Sequence, residues 1–168
     1  MNTTVTIHSK ASLDFLAFKE YLDIPELQLR HHFEVPGESM NWYFYREGKS
    51  TTLFIISYNL KDTYTISIDN LAAYDDLKFF PYLVDTLTKY LDGSMNMDHI
   101  YQQMNEEWVE NTISEEIARL KGTLTVVPRY FFSQAFNDFY YVSEDILYPF
   151  GVNLHSSTPR IYGYIQYM

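Results

Sequence analysis

The sequence predicts an α+β fold, in which an antiparallel sheet packs on helices from the middle of the chain. In the first half of the chain, apolar and polar residues alternate in four successive segments joined by short turns. Such a pattern is typical of a β-meander. After residue 80, apolar residues recur at helical spacing. The 168 residues are enough for one domain with its own core, so we expect a single domain over 1–168.

The predicted meander comprises strands at about 27–35, 40–46, 51–58 and 63–69. The first of these competes with a capping box at 23–26, which would open a helix instead. Five strict alternations outweigh that one signal, so a strand is predicted there.

Further strands are predicted at 3–7, 123–127 and 160–167, where β-branched or alternating residues recur. Each of them would extend the meander. The segment 129–150 stays ambiguous, because nine of its 22 residues are aromatic and several of these have helical spacing.

Helices are predicted at about 12–22, 81–92, 97–109 and 113–121. Pro81 is placed in the first turn of the second helix, because a proline inside a helix would cost about 3 kcal/mol.

The ends and faces of the first two helices follow from single residues. Ser12 is the expected N-cap of the first helix, with Asp14 in the first turn. The face that we expect to meet the core contains Leu13, Leu16, Ala17 and Tyr21 and is widened by Phe15, Phe18 and Leu22. Gly93 is expected at the C′ position that ends the second helix.

The last two helices are separated because their apolar stripes point in different directions. Met104 and Trp108 belong to one stripe, and Val109 and Ile113 belong to the other. A capping box at 112–115 then predicts a break near residues 110–112.

Charge limits the classes of partner. The chain has 12 basic and 22 acidic residues, a net charge of −10. Ten acidic and two basic residues fall within 75–118, so this segment alone carries −8. Such a balance argues against binding a nucleic-acid backbone or an anionic membrane surface. It favours a basic protein partner.

Other features of the whole chain concern its compartment. There is no cysteine, no apolar run long enough to span a membrane, and no charged start followed by an apolar block. We therefore expect a cytoplasmic protein without disulfides.

Tests for catalytic and metal-binding motifs give no specific signal. The segment 48–51 reads Gly-Lys-Ser-Thr, but Tyr43 occupies the first glycine position of a phosphate loop and a strand is predicted next. An exposed hairpin turn is the better interpretation. The five histidines lack the spacing of metal ligands, so we expect no metal and no cofactor.

The favoured functional class is an acidic protein-interaction module of the immunity, chaperone or nucleic-acid-mimic type, and an enzyme is less favoured. The acidic segment and the 16 tyrosines favour this class, since tyrosine offers a large contact area at low entropic cost. The candidate binding residues are Glu106, Glu107, Glu110, Trp42, Tyr43, Tyr140 and Tyr141.

Two alternatives remain open. The first is a small-ligand or enzyme domain with an aromatic-lined pocket near Trp42, Tyr43 or 130–141. The second is a homo-oligomer that pairs through the tyrosine-rich C-terminal strand at 160–167.

Overall fold

The computed structural model describes residues 3–69, 72–124, 129–133, 138–142 and 166–167, with side chains as far as residue 116. It contains a six-stranded antiparallel sheet, helices, and a separate three-stranded sheet, so the α+β prediction is confirmed. In chain order the elements are β1 (Thr3–His8), α1 (Phe15–Leu22), β2 (Leu27–Val35), β3 (Ser39–Arg46), β4 (Phe54–Tyr58), β5 (Thr63–Ile68), α2 (Tyr74–Tyr90), β6 (Ser94–Met95), α3 (Ile100–Gln103), α4 (Glu106–Leu124), β7 (Arg129–Ser133), β8 (Asp138–Val142) and β9 (Gln166–Tyr167).

The predicted meander forms the larger sheet, whose strand order is β2-β3-β4-β5-β1-β6. β2 covers the predicted range, and β4 begins three residues later than predicted. The N-terminal strand joins the meander by pairing antiparallel to β5, with Val5 opposite Ile66. A two-residue strand, β6, then pairs with β1 and closes that edge.

The sheet is polar and apolar on alternate residues, and its inner face forms the core with the helices. The inner residues share one buried cluster and are Val5, Ile7, Trp42, Phe44, Phe54, Ile56, Tyr64, Ile66 and Ile68. The helices and the turn between α3 and α4 contribute a matching apolar layer, namely Phe15, Phe18, Leu22, Leu77, Phe80, Leu83, Val84, Leu87, Ile100, Met104, Val109 and Ile113. Burial of these side chains is the main force that holds the two layers together.

The other side of the sheet, which we call the outer face, carries the alternate strand positions. Its residues are Thr4, Thr6, His8, Gln28, His31, Phe33, Val35, Asn41, Tyr43, Tyr45, Ile55, Ser57, Thr63, Thr65 and Ser67. None of them belongs to the buried core cluster.

The most deeply buried tyrosine finds a partner for its hydroxyl. Tyr64 is fully buried and its hydroxyl donates to the Ala11 carbonyl oxygen at 2.5 Å. Burial raises the pKa of Tyr64 to about 12, so the hydroxyl stays protonated as a donor. Its ring stacks on that of Tyr58, with the centroids 4.2 Å apart.

The N-cap and the buried face of α1 differ from prediction. Asp14, rather than Ser12, caps the helix, because its side chain accepts from the backbone N–H of Leu16 at 3.1 Å and of Ala17 at 3.2 Å. The helix therefore starts later. Its buried residues are Phe15, Phe18 and Leu22, which widened the predicted face and now form its centre. Leu16 and Tyr21, predicted to meet the core, are 72 % and 55 % exposed.

The second helix was predicted too short. α2 starts at Tyr74, seven residues before Pro81, so Pro81 lies inside it. The missing proline N–H leaves one hydrogen bond to residue 77 unmade. Leu77 and Phe80 extend the buried stripe of the helix backwards, and their burial offsets that cost.

The end of α2 also corrects the prediction for Gly93. The left-handed residue is Asp92, with φ 48°, and its N–H bonds the Lys89 carbonyl at 3.1 Å. The Gly93 N–H bonds the Thr88 carbonyl at 2.9 Å, which completes a Schellman motif with Gly93 at C″. Glycine is needed at 93 for space, since a Cβ there would lie 2.9 Å from the His8 carbonyl oxygen and 2.9 Å from the Ile7 Cγ2.

We therefore expect Gly93→Ala to lower the free energy of unfolding by about 1–3 kcal/mol, as over-packing against a backbone atom does. Asp92→Gly is the matched control. It relieves a left-handed conformation and should leave stability unchanged or raise it by up to about 1 kcal/mol. Urea unfolding followed by circular dichroism measures both. Equal stability of Gly93→Ala and the unsubstituted protein would contradict the close approach of α2 to β1.

The break in the last helical region lies earlier than predicted. α3 ends at Gln103 and α4 runs without interruption from Glu106, so no break occurs near 110–112. Asn105 sets the boundary, because its Oδ1 accepts from the Trp108 N–H at 3.0 Å as an N-cap. The Thr112 hydroxyl donates to the Trp108 carbonyl at 2.8 Å, a bond within the helix instead of a new cap.

Three predictions fall on the C-terminal part. The strand at 123–127 is wrong where it is described, because Thr123 and Leu124 belong to α4. The ambiguous segment contains an antiparallel pair, β7 and β8, and the predicted terminal strand is described only as β9, which pairs with β8. Residues 143–165 lie outside the described residues.

Candidate functional site

The first turns of α2 and α4 meet and bring acidic residues from both helices together. The Tyr74 hydroxyl donates to the Glu106 Oε1 at 2.8 Å. Asp75 lies in the first turn of α2, and Glu106 and Glu107 lie in the first turn of α4. Carboxylates at these positions stabilise both helices by opposing their dipoles, which explains part of the acidity.

Several of these carboxylates raise the pKa of the Tyr74 hydroxyl. The hydrogen bond to Glu106 is the main cause that raises the pKa of Tyr74, and the charges of Glu110 and Asp75 add to it. Lys78, one turn along α2, holds its ammonium group 5.3 Å from the centre of the Tyr74 ring. The site thus combines negative charge with an aromatic ring that already accepts a cation.

Two further tyrosines, on α2 and α3, are exposed near acidic side chains. Tyr82 and Tyr101 are 43 % and 51 % exposed. Burial of part of the Tyr101 ring and the nearby charge of Asp85 raise the pKa of Tyr101. Asp85 is also bound to Lys89 at 2.8 Å, a bond that raises the pKa of Lys89. We call the surface formed by Tyr74, Asp75, Tyr82, Asp85, Tyr101, Glu106, Glu107 and Glu110 the acidic helical surface.

The predicted site residues fall in three different places. Glu106, Glu107 and Glu110 lie on the acidic helical surface, the first two exposed and the third half-buried. The adjacent Trp42 and Tyr43 lie on opposite faces of β3, because side chains alternate along a strand. Trp42 is 4 % exposed and belongs to the core.

Tyr43 is half-buried on the outer face, where its ring stacks on Phe33 with the centroids 5.7 Å apart. Tyr140 and Tyr141 lie in β8, opposite Phe131 and Tyr130 of β7. Their side chains lie outside the described residues. The structure therefore does not join the predicted aromatic residues to the predicted glutamates.

Sequence analysis missed the tyrosines of the acidic helical surface. Tyr82 lies on the exposed side of α2, and Tyr74 is half-buried against the core at the start of the same helix. Tyr74 was overlooked because the helix was predicted to begin at Pro81, which left Tyr74 outside it.

A buried ion pair lies beneath the acidic helical surface and fixes its position on the sheet. Arg46, at the end of β3, donates from Nε to Asp76 Oδ1 at 2.8 Å, and its Nη2 lies 2.7 Å from the same oxygen. The two residues are 6 % and 1 % exposed. Burial raises the pKa of Asp76, against the opposing charge of Arg46. The guanidinium also lies 4.7 Å from the Phe79 ring centre.

The Gly-Lys-Ser-Thr segment forms the hairpin that supports this pair. Gly48 has φ +74°, the left-handed turn conformation, and the segment joins two antiparallel strands. The Ser50 hydroxyl accepts from the Arg46 backbone N–H at 2.8 Å. Ser50 and Thr51 are each only 5 % exposed, so the prediction of an exposed turn is wrong for these two residues. Ser50 is buried against the ion pair, because its hydroxyl also lies within hydrogen-bond reach of the Asp76 carboxylate.

A depression of about 350 Å³ lies at the C-terminal end of α1, away from the aromatic residues expected to line a pocket. Its lining residues are Leu16, Lys19, Glu20, Asp23, Ile24 and Pro25. In the part of the chain that the structure describes, no group of three or more histidines and carboxylates could hold a metal ion. Nor is any helix there both long and apolar enough to cross a membrane.

No protein-family model, curated protein or solved structure matches this chain.

Proposed function

We propose that this protein is an interaction module that binds a basic protein partner through the acidic helical surface. The observation that carries the proposal is the hydrogen bond from Tyr74 to Glu106, which brings the acidic first turns of two helices into one surface. An immunity protein, a secretion chaperone and a mimic of nucleic acid all belong to this class. A cytoplasmic location fits it, because the chain has no cysteine.

The chemistry of the surface favours arginine and lysine on the partner. Glu106 and Glu107 are exposed at a helix start and can each accept a charge-assisted hydrogen bond. Tyr82 and Tyr101 offer ring faces on which a guanidinium or ammonium group can lie. Tyrosine and arginine are the residue types that most often dominate the energy of protein interfaces.

Long-range charge adds speed and selectivity to such an association. The segment 75–118 carries ten acidic and two basic residues, so its field attracts a basic partner and repels acidic proteins. Because exposed charges are screened by salt, the association rate should fall steeply as the salt concentration rises.

Neutralising three glutamates tests the proposal. The variant with Glu106→Gln, Glu107→Gln and Glu110→Gln should weaken binding of a captured basic partner by roughly tenfold or more, which corresponds to about 1.4 kcal/mol. The glutamines keep the size of the side chains. Affinity capture of the full chain from cell extract, followed by titration of the purified partner, provides the measurement.

The matched control removes the same charge elsewhere. Glu20, Glu34 and Glu38 are exposed and lie on α1, on β2 and in the turn after it. Their replacement by glutamine should leave the partner and its affinity unchanged. If the two triple variants lose the same amount of binding, net charge alone is responsible and the acidic helical surface is not the site.

A further inference from the structure

We infer that the outer face of the six-stranded sheet is a self-association surface on which a second copy of this chain packs. This inference concerns the side of the sheet opposite the helices and is independent of the basic partner.

The first argument is the chemical character of the outer face. At the described positions of β1 to β5, the outer face carries no carboxylate, although the chain has 22 acidic residues. Its aromatic half is preorganised. The Phe33 ring stacks on Tyr43, and the Arg30 guanidinium lies 5.0 Å from the Tyr45 ring centre. The remaining half is mostly threonine and serine hydroxyls, which can form hydrogen bonds across an interface.

The distribution of charge indicates which kind of protein could pack on the outer face. Two copies each carry −10, so their contact through most surfaces brings like charges together. The outer face avoids this repulsion, because its listed residues include no carboxylate and only His8 and His31 among basic groups, with Arg30 beside them at the irregularity of β2. A basic partner would gain no attraction there. A second copy is therefore the occupant that the charge distribution favours.

The area of the outer face indicates how tightly two copies should bind. Strands β1 to β5 are spaced by about 4.8 Å, and about six residues of each at about 3.3 Å per residue give a footprint of roughly 24 by 20 Å. Two such faces bury about 1,000 Å² together, which is near the lower limit for a specific interface. We therefore expect a reversible dimer with a dissociation constant of ~10 μM, which varies with the quality of packing.

In such a dimer the helical layers of both copies stay exposed. The helices pack on the inner face of each sheet, so contact through the outer faces leaves both helical layers at the outside. Two acidic helical surfaces would then point away from each other and serve a partner with two or more basic sites. Such bivalence raises apparent affinity without any new contact.

Sedimentation velocity of the full chain between 1 and 500 μM tests the inference (these limits bracket the ~10 μM expected from the area). The unsubstituted protein should shift from monomer to dimer across this range. Ile55→Glu, on the central strand of the outer face, and Thr65→Glu, on its neighbour, each place a carboxylate in the interface. Each should weaken dimerisation by at least tenfold. Leu16→Glu is the matched control, because Leu16 is 72 % exposed on α1, on the opposite side of the sheet.

Each possible result of this experiment either supports or overturns the inference. Loss of the dimer in both outer-face variants, with folded circular dichroism spectra and an intact dimer in Leu16→Glu, supports the inference. A monomer at every concentration overturns it. So does a dimer that both outer-face variants leave unchanged, since pairing then occurs through the β2 edge or the C-terminal strand. Glutamine substitutions at Glu106, Glu107 and Glu110 should not weaken the dimer, so this result and the partner proposal can fail separately.

Discussion

Asp76→Asn should lower the free energy of unfolding by about 3–5 kcal/mol, the largest change that we expect from a single polar substitution in this protein. The substitution leaves the Arg46 guanidinium 6 % exposed, with its counter-charge removed. Asp75 lies 3.6 Å from the Arg46 Nη2 and would compensate only in part, because its carboxylate is closer to solvent. An unpaired buried charge is far more costly than the pair itself is stabilising.

The double variant Arg46→Met with Asp76→Leu should behave differently. It removes both charges and fills the space with apolar groups, so its stability should lie within about 1 kcal/mol of the unsubstituted protein or above it. The unsubstituted protein, Arg46→Met, Asp76→Leu and the double variant form a double-mutant cycle, and urea unfolding should give a coupling energy of about 3 kcal/mol. An additive result would show that Arg46 and Asp76 do not depend on each other.

An exposed pair supplies the control. Lys49 and Glu26 are 3.0 Å apart, with side chains 45 % and 27 % exposed. Lys49→Met should cost less than about 1 kcal/mol, because solvent screens the pair. If Asp76→Asn costs no more than this, the buried pair does not carry the stability that its geometry implies.

The sheet could be predicted closely from the sequence, and the reason is its period. Alternation of apolar and polar residues specifies both the strand and its buried face, since a slip of one residue would reverse every side chain. β2 therefore follows its predicted range, although a capping box competed with it. The later start of β4 accompanies the contact of Ser50 with the buried ion pair, which local sequence does not reveal.

Helix ends were harder to predict, because a single side chain decides each of them. Asp14 and Asn105 cap α1 and α4 with hydrogen bonds that several neighbouring polar residues could have made instead. Pro81 misled the prediction in another way. Its local cost is real, but burial of Leu77 and Phe80 in the core outweighs it.

The candidate site could be predicted from sequence only in part. The glutamates of α4 were predicted because a high density of acidic residues can be read directly from the sequence. Their contact with Tyr74 of α2 spans 32 residues of sequence, and no local pattern predicts such a distance. The choice of aromatic residues suffered from the same limit, since composition does not say which face of a strand a ring occupies.

The second large expected effect on stability follows from the positions of Trp42 and Tyr43 on opposite faces of β3. Trp42→Ala should lower the free energy of unfolding by about 3–5 kcal/mol, as removal of a large core ring does. The Trp42 ring is 4 % exposed, stacks on His32 with the centroids 5.2 Å apart, and lies 6.5 Å from the Tyr64 ring. Much of a typical domain's stability would be lost with this one side chain.

Tyr43→Ala, one residue away, should cost less than about 1.5 kcal/mol. It removes the cross-strand contact with Phe33 and leaves no closed cavity, because Tyr43 is only half-buried and Phe33 is 45 % exposed. Urea unfolding at a low, monomeric concentration measures both variants. The same Tyr43 variant should weaken the dimer at high concentration, because the ring belongs to the outer face. If Tyr43→Ala were the more damaging of the two, β3 would be reversed in the sheet, with Tyr43 in the core. The outer face would then consist of the residues now placed inside, and the self-association surface would have to be redrawn along with the core.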